Sequence, residues 1–591
     1  MIHRTDRRPA GRRPLRGAHR PAVVLSLLLV LGLLVGCGSG NSGVAGVPTL
    51  TGEAGAGVDG VRAPSDATGG TLRLVTGEVD SLDPQRSYVP GVWNLMRLYV
   101  RTLVTYSTEP GRTDELVPDL ATDLGSTPDG GRTWTFTLKD GIRFETGQPI
   151  TSRDVKYGIE RSFASDVVVG GPSYVVDLLD DPANPYAGPY QDETADKLGL
   201  GSIATPDDRT ITFTLTTPAL DFPFVMALPS SSPVPGANDA AGAYGEKPIS
   251  SGPYLVASVD ARAGIRLERN PEWDPATDEV RTALPDAVVV RTGMSGLARD
   301  QALLAGSADI DLSGSGVQQT ITTGRLDDEQ VAARVDDVTT GSVRLLALPT
   351  TVAPMDNADC RAAVAAVVDR AAVQESIGGS TNAVRTAHLW PRALDGGPEQ
   401  ADPQPDLDAA REALERCGRP DGFSTVIAVP DALNAVALAD TVSGALAEVG
   451  ITAEVRPLDP TTYYATDIGN PETVTANGYG IVLATWKADF PTPASFLVPL
   501  VDGRSIRTVG NTNYAHLDTP EINARVDTAR AAAEPAAADE AWRQVVGAAE
   551  ATGVYVPLAE ARVQLLSGQR LRNGVVMQPY GGYDVATAGV G

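Results

Sequence analysis

The stretch Thr425-Val-Ile-Ala-Val429 is a short apolar run, and a second run, Ile451-Thr-Ala-Glu-Val455, follows it after a separating segment. Apolar residues in that segment recur at helical spacing, and Gly450 is placed to end a helix. The helical positions are Leu438, Val442, Leu446 and Val449. A strand, a helix and a strand in this order predict a parallel α/β unit, and residues 479–486 add another buried strand.

The part of the chain before this unit is rich in β-strand patterns. Residues 134–138 alternate apolar and polar side chains up to a turn at Asp140-Gly141, and residues 142–144 continue the alternation, which predicts a hairpin. The pattern Arg-Thr-x-Thr-Phe-Thr-Leu occurs at residues 132–138 and again at 209–215. Nothing else recurs at this period, so we interpret the two segments as similar strands of one sheet.

Length and charge exclude several classes of protein. The chain has 591 residues, enough for about three or four domains. Its net charge is −26, and because seven Arg and one Asp give the first 36 residues +6, the remainder carries −32. An acidic body repels phosphate backbones, so we expect no nucleic-acid binding. Hydrophobic and charged contents of 42% and 21% are those of a folded chain.

The amino terminus has the pattern of an export signal. Arginines precede an apolar run at residues 22–36, which is shorter than the roughly 20 residues of an unaided transmembrane helix. The run ends with Leu-Val-Gly-Cys at residues 34–37, which resembles a bacterial lipobox and predicts lipidation of Cys37. An ordinary signal with an incidental cysteine is the alternative. Residues 38–70 are rich in Gly, Ser, Pro and Thr, which predicts a flexible tether.

Two cysteines remain beyond Cys37. Cys360 and Cys417 each lie on the apolar stripe of a predicted helix, and an exported protein folds in an oxidising compartment. Both sulfur atoms should then face the same interior. We predict a disulfide that ties the two helices together, with two buried free thiols as the alternative.

Sequence motifs for catalysis are missing. His388 and His516 are the two of four histidines that lie beyond the leader, and neither belongs to a spaced metal-ligand cluster. None of the five lysines follows a glycine, so there is no phosphate-binding P-loop, and no Gly-x-Ser-x-Gly elbow occurs. We therefore expect no enzyme activity, no cofactor and no bound metal. A tethered, exported α/β protein is more naturally a receptor for a solute.

Segments spread along the chain match one family in the family's own order. They are residues 81–84 (Ser-Leu-Asp-Pro), 134–144, 251–254 (Ser-Gly-Pro-Tyr), 267–271, 360–370 and 486–489 (Trp-Lys-Ala-Asp). Together they resemble the peptide/nickel-type, or family 5, extracellular solute-binding proteins of ABC importers, in particular the oligopeptide- and dipeptide-binding lipoproteins. The resemblance runs from about residue 70 to the end of the chain.

The resemblance implies an α/β fold of the type II periplasmic-binding-protein kind. Two lobes are joined by hinge crossovers, expected near residues 346–350 and 553–557, and a β-rich subdomain is inserted into the first lobe. The implied divisions are a signal peptide at 1–36, a tether at 37–69, lobe I at 70–105 and 245–346, the inserted subdomain at 106–244, lobe II at 347–553 and a return to lobe I at 554–591.

The resemblance also implies the residues that bind a ligand. They are Asp489, Trp486, Thr485, Lys487, Glu78 and Val79. Asp489 occupies the place of the carboxylate that pairs with a peptide's α-ammonium, and the backbone of residues 485–487 is expected to pair with an extended peptide. Glu78 and Val79 match the opposing wall. Asp489 as a helix-capping carboxylate and Trp486 as a plain core residue are the alternatives.

One position departs from the family pattern. Oligopeptide binders carry an arginine three residues before the tryptophan, where this chain has Leu483. The partner of a peptide's carboxylate is therefore open. Arg385, Arg504 and Arg507 are candidates by their place in the lobe II segment.

These observations predict an extracytoplasmic lipoprotein that captures short peptides between its lobes and delivers them to an ABC permease. We expect a monomer held at the outer face of the cell membrane by a lipid on Cys37. The same fold could instead bind a metal chelate or a sugar, or sense peptides without import. A lipid-anchored hydrolase is the alternative from another class and would need a nucleophile and a base in the cleft.

Overall fold

A computed structural model of the protein describes residues 54–318, 321, 324, 328–394, 396–399 and 402–591. All of them belong to one compact unit. The expected signal peptide at 1–36, Cys37 and the first part of the tether lie outside the described residues. None of the helices in the described part of the chain combines the length and the apolar character needed to span a bilayer.

The strands are short except for two. In chain order they are β1 Thr71–Val75, β2 Val104–Tyr106, β3 Leu116–Pro118, β4 Thr133–Thr137, β5 Ile203–Ala204, β6 Thr210–Thr214, β7 Tyr254–Asp260, β8 Gly264–Arg269, β9 Ala287–Arg291, β10 Ile310–Asp311, β11 Val335–Ala347, β12 Ala383–Arg385, β13 Ser424–Pro430, β14 Thr452–Leu458, β15 Ile481–Trp486, β16 Tyr555–Leu566, β17 Leu571–Arg572, β18 Val576–Met577, β19 Gly582–Tyr583 and β20 Gly589–Val590.

The longer helices lie in the second half of the chain. In order the helices are α1 Pro90–Met96, α2 Ser152–Arg161, α3 Tyr174–Leu179, α4 Phe222–Val225, α5 Gly296–Leu304, α6 Glu329–Ala332, α7 Ala358–Ala366, α8 Arg370–Ser376, α9 Leu407–Arg416, α10 Leu433–Ala447, α11 Pro471–Ala476, α12 Pro493–Val501, α13 Pro520–Arg530 and α14 Pro535–Ala551.

The first lobe, residues 54–338 and 563–591, packs around a sheet of order β10-β1-β9-β8-β7. β1 is parallel to β9 and β10, whereas β8 is antiparallel to β9 and β7. Buried and half-buried side chains alternate along β1: Leu72 and Leu74 are buried, and Arg73 between them is half-buried. This is the pattern of a strand with one face packed against the core.

A small sheet of order β4-β6-β5 carries the repeated pattern. β4 and β6 pair antiparallel, with Trp134 opposite Phe213 and Phe136 opposite Ile211, which confirms that the repeated segments are strands of one sheet. The predicted hairpin over residues 134–144 is wrong, because β4 takes its partner from β6, far along the chain. The buried aromatic side chains of this sheet join the core of the first lobe.

The second lobe, residues 343–559, packs around a sheet of order β12-β16-β11-β15-β13-β14. β13 and β14 are parallel and joined by α10, as the sequence predicts. The two faces of the sheet carry separate cores: Leu345 and Val482 belong to one, Leu346 and Leu483 to the other. Burial on both faces explains why β15 is apolar almost throughout.

The chain passes between the lobes in β11 and β16, which pair antiparallel. The register of the pair is irregular between Thr339 and Val343, where β11 leaves the core of the first lobe and enters that of the second. Gly341 has φ +71°, a conformation that suits glycine in such a bulge. The passages therefore lie several residues from the expected ranges, 346–350 and 553–557, which fall within the second lobe.

The end of the predicted tether, 37–69, is held against the folded body. Arg62 is 2% exposed and its Nη2 atom lies 2.6 Å from the fully buried carboxylate of Asp336, which precedes the passage in β11. The amide of Gly57 and the hydroxyl of Tyr583 also donate to Asp336, at 2.9 and 2.6 Å. Four donors satisfy one buried carboxylate, so a flexible tether ends before Gly57.

The predicted pair of cysteine-bearing helices is formed by α7 and α9, which pack against each other. Cys360 in α7 and Cys417, next to the end of α9, are joined by a disulfide with Cα atoms 5.2 Å apart. Cys360 is buried in the same core as Val364 and Leu414. The bond ties a helix that follows β11 to one that precedes β13.

Candidate ligand-binding cleft

β15 brings Trp486 to the boundary between the two lobes. The strand reaches this place because its buried residues pair with β11, with Val482 opposite Ala347 and Trp486 opposite Val343. The indole Nε1 of Trp486 donates to the carbonyl of Phe496 at 2.8 Å, and the ring packs against the core of the second lobe. Trp486 therefore fixes the segment that follows it.

Asp489, three residues after this tryptophan, lies between the lobes. Its Oδ2 atom accepts hydrogen bonds from the hydroxyls of Tyr88 and Tyr174, each 2.5 Å long. Both tyrosines belong to the first lobe, and Tyr174 opens α3. The carboxylate of the second lobe is thus held by two donors from the first.

The chain around residues 80–88 is shaped to present Tyr88. The carboxylate of Asp80 accepts from the amide of Tyr88 at 2.6 Å and from the Ser87 hydroxyl at 2.9 Å. The ring of Tyr88 stacks on the buried indole of Trp93, with centroids 5.6 Å apart. These contacts hold the Tyr88 hydroxyl in place at the edge of the first lobe.

Burial dominates the electrostatics of the site. It raises the pKa of the Asp489 carboxyl, while the hydroxyls of Tyr174 and Tyr88 and the charge of Lys487 act in the opposite direction. Burial and then the charge of Asp489 raise the pKa of both tyrosines, so both hydroxyls stay protonated and act as donors. An alkylammonium entering the cleft would give Asp489 a charged partner in place of neutral ones.

An aromatic contact closes the cleft beside Asp489. Phe490 is buried in the core of the first lobe although it follows a strand of the second. Its ring lies 5.1 Å from that of Tyr174 and 6.0 Å from that of Phe224, between centroids. Further out, Arg507 and Asp177 form an ion pair across the boundary at 3.0 Å.

Lys487 crosses the same boundary on the other side of the segment. Its Nζ atom donates to the carbonyl of Pro579, in the first lobe, at 3.2 Å. Burial lowers the pKa of Lys487 to about 8, against a smaller opposing effect of Asp489. The side chain lines a small pocket that is partly open to solvent, beside the passage between the lobes. Other residues lining it are Asp114, Thr340, Gly341, Ala488, Phe490 and Gln578.

The remaining predicted residues take different places. The amide of Thr485 donates to the hydroxyl of Tyr464 at 3.2 Å, so Tyr464 occupies the strand edge at which ligand pairing was expected. Val79 packs against the core of the first lobe, and Glu78 is exposed. The first-lobe groups that reach Asp489 are Tyr88 and Tyr174.

The three arginines considered for a ligand carboxylate all have acidic partners. Arg385 pairs with Asp402, Arg504 with Asp502 and Asp527, and Arg507 with Asp177. None of the three is an unpaired cation.

Sequence reasoning missed Tyr88 and Tyr174, whose hydroxyls donate to Asp489. The tyrosines stand in loop-like sequence hundreds of residues from Asp489, and only the folded chain brings them to it.

Comparison with known proteins gives consistent relatives. The peptide transport periplasmic protein SapA of Salmonella typhimurium is 24% identical over 587 residues, 95% of this chain and 96% of the relative. The probable D,D-dipeptide-binding periplasmic protein DdpA of Escherichia coli is 22% identical, over 84% of this chain and 90% of the relative.

Solved structures agree over nearly the whole chain. The clavulanic acid biosynthesis oligopeptide binding protein 2 superposes with a TM-score of 0.88 and 41% identity, covering 91% of this chain and 99% of that one. The Helicobacter pylori binding protein DppA in complex with the peptide STSA has a TM-score of 0.65 and 21% identity, over 88% and 98%. The profile described as bacterial extracellular solute-binding proteins, family 5, matches residues 115–507. The chain therefore belongs to family 5 of the bacterial extracellular solute-binding proteins.

Proposed function

We propose that this solute-binding protein of an ABC importer captures short peptides between its lobes and delivers them to the membrane permease. The observation that carries the proposal is the place of Asp489, a carboxylate between the lobes held by tyrosine hydroxyls from the opposite lobe. A peptide's α-ammonium is the ligand group that such a carboxylate suits.

The energetic argument concerns desolvation. An ammonium enclosed between two lobes loses its water, and leaving it unpaired would cost several kcal/mol. Asp489 supplies the compensating charge, and water or polar groups of the ligand can take the place of the neutral tyrosine donors. Hinge closure about β11 and β16 would then enclose the peptide.

The relatives support a peptide as the solute. Names that specify peptide, dipeptide or oligopeptide belong to SapA, DdpA and the clavulanic acid biosynthesis protein. The last of these is 41% identical to this chain. Cys37, after its lipobox-like sequence, is proposed as the lipid anchor that keeps the protein at the outer face of the membrane.

Native mass spectrometry tests the solute and the site together. The full chain is purified from detergent-solubilised membranes as wild type, as Asp489→Asn and as Asp177→Asn. Asp177 is the matched control, because it also contacts the opposite lobe but lies in the exposed ion pair with Arg507. We expect peptides to co-purify with the wild type and the control, and to be lost from Asp489→Asn.

The proposal fails if the wild type carries no peptide and added di- to pentapeptides leave its melting temperature unchanged. The assignment of Asp489 fails if Asp489→Asn retains peptides as the control does. Peptide uptake by a strain lacking the gene, restored by the wild type and not by Asp489→Asn, tests delivery to the permease. Fatty-acid labelling of the wild type compared with Cys37→Ser tests the anchor.

A further inference from the structure

Residues 54–69, which we call the N-terminal arm, are bound to the first lobe up to the passage between the lobes. The amide of Gly55 donates to the carbonyl of Val335, in β11, at 3.0 Å. The backbones of Arg62 and Gly574 exchange two hydrogen bonds, of 2.8 and 3.0 Å. The arm is thus part of the fold, and its first residues lie beside β11.

The arm meets both passage strands at the same level. Asp336 in β11 lies directly opposite Leu565 in β16. The Nε atom of Arg62 donates to the Asp336 carboxylate at 3.0 Å, and its Nη2 atom to the carbonyl of Val335 at 3.3 Å. The hydroxyl of Tyr583 donates to Asp336 at 2.6 Å and lies 3.2 Å from the carbonyl oxygen of Leu565. The arm and Tyr583 together therefore hold the first-lobe ends of β11 and β16.

The contact leaves no space for a side chain at residue 57. A Cβ atom on Gly57 would lie 2.6 Å from Oδ2 of Asp336 and 3.2 Å from the carbonyl oxygen of Gly574. Glycine is therefore required where the arm passes the carboxylate. Arg62 and Asp336 are 2% and 0% exposed, so water does not screen their ion pair.

A second buried carboxylate stands on the other side of the passage. Glu560 lies in β16 opposite Val343 and is fully buried. Both of its oxygens accept from the amide of Arg392, at 3.1 Å each, and Oε1 accepts from the guanidinium of the same residue at 3.2 Å. The irregular stretch between Thr339 and Val343 is therefore bracketed by two arginine–carboxylate pairs, one in each lobe.

The two pairs determine where the passage strands can bend. Bending a pair of strands opens hydrogen bonds of their ladder, and the ladder is already interrupted between Thr339 and Val343. Bending at Asp336 or at Glu560 would in addition separate a buried carboxylate from its arginine, which is strongly unfavourable. The irregular stretch is therefore the part of β11 that yields first.

We infer that the N-terminal arm is a hinge clamp: bound to Asp336, it confines the bending of β11 and β16 to the irregular stretch, and its release lets the lobes open more readily. This holds whichever solute the cleft takes. Arg392 belongs to the second lobe, whereas Arg62 belongs to a segment that continues into the predicted tether. A change in how the arm is held would thus alter the opening of the cleft without any contact with the ligand.

Hydrogen–deuterium exchange followed by mass spectrometry tests the inference on the full chain, purified from detergent-solubilised membranes. Arg62→Gln removes the charge that binds Asp336. Gly57→Ala displaces the arm while every charged group is kept, so the test stands even if Arg62→Gln does not fold.

Two further variants serve as comparisons. Arg392→Gln weakens the contact at Glu560, on the other side of the passage. Arg73→Gln is the matched control, because Arg73 also pairs with a fully buried carboxylate of the first lobe, that of Asp309, which belongs to neither passage strand.

We expect both arm variants to exchange at least about tenfold faster than the wild type at residues 335–338 and 563–566, the first-lobe ends of the strands. Exchange should also rise at residues 487–492, because Phe490 is buried against the first lobe only while the lobes are in contact. Arg392→Gln should raise exchange at residues 558–562 instead, and Arg73→Gln should change none of these segments.

The inference is overturned if residues 335–338 and 563–566 exchange in both arm variants as in the wild type, whether or not the arm itself exchanges faster. It is also overturned if exchange rises equally in every segment, β1 included, because a general loss of stability requires no clamp. Neither result bears on the proposed function, which the co-purified peptides test separately.

Discussion

The hydroxyl of Tyr174 donates a 2.5 Å hydrogen bond to the carboxylate of Asp489, and so joins the start of α3 in the first lobe to the segment that follows β15 in the second. Tyr88 makes a second bond of the same length to the same oxygen. With Phe490 buried against Tyr174, these contacts hold the two lobes together. A ligand ammonium at Asp489 would have to share or replace them.

Removing the hydroxyl of Tyr174 should loosen this closure. Tyr174→Phe deletes a hydrogen bond to an ionised group, worth about 1.5–3 kcal/mol, without changing the ring that packs on Phe490. We expect a larger radius of gyration for the unliganded variant in small-angle X-ray scattering. Tyr186→Phe is the control, because Tyr186 donates to Asp192 within the first lobe. Equal radii for the two variants would contradict the prediction.

Lys487 should make the folded protein more stable as the pH rises through the alkaline range. Its pKa is lowered from 10.5 in the free side chain to about 8 in the folded protein, because the half-buried side chain loses much of its hydration between the lobes. The charged form therefore opposes folding below pH 8, and this penalty disappears as the pH rises from 8 to 10.5. The melting temperature of the wild type should rise across this window relative to that of Lys487→Met. A constant difference between the two proteins would show that Lys487 is solvated.

His516 should contribute to acid unfolding. Burial lowers its pKa from 6.5 to about 4, and its Nδ1 atom lies 2.7 Å from the Thr351 hydroxyl. The neutral ring is favoured in the folded state, so its contribution is complete above pH 6.5 and is lost as the pH falls towards 4, by about 3 kcal/mol.

His516→Asn tests this, because asparagine tolerates the φ of +52° found at this position. The variant should lose less stability than the wild type between pH 6.5 and 4 in urea unfolding. Parallel curves for the two proteins over this interval would refute the assignment to His516.

Asp336 should contribute far more to the free energy of unfolding than its sequence neighbour Asp337. Asp336→Asn removes the charge from a buried carboxylate that holds Arg62, Gly57 and Tyr583, and should cost about 3 kcal/mol. Asp337→Asn alters an exposed ion pair with Arg562 and should cost less than about 1 kcal/mol. Urea midpoints of both variants check the comparison, and similar midpoints would contradict it.

Local patterns predicted the second lobe better than the first. β13, α10 and β14 follow from apolar periods that can be recognised within thirty or so residues, because adjacent elements of a parallel unit are also adjacent in sequence. The hairpin failed because alternation in residues 134–138 shows a strand but not its partner, which is β6. Pairing between distant strands depends on the whole fold.

Some residues of the candidate site could be predicted from the sequence and others could not. Asp489 could be predicted from the family resemblance, whereas Tyr88 and Tyr174 could not, since nothing local to them indicates a contact across the cleft. The resemblance also places Glu78 on the opposing wall, and this stays a prediction; its side chain is exposed. The tether predicted at 37–69 extends beyond Gly57 because a Gly-rich composition gives no sign that one arginine, Arg62, is buried.

The attachment of Gly57 and Arg62 to Asp336 has a mechanical meaning. Asp336 stands three residues before the irregularity at which β11 passes from one lobe to the other. The segment that contains Gly57 and Arg62 is therefore attached close to the hinge. The backbone near a hinge moves least when the two lobes rotate relative to each other. This attachment is therefore made to the first lobe, next to the passage, and leaves the second lobe free to rotate about β11 and β16.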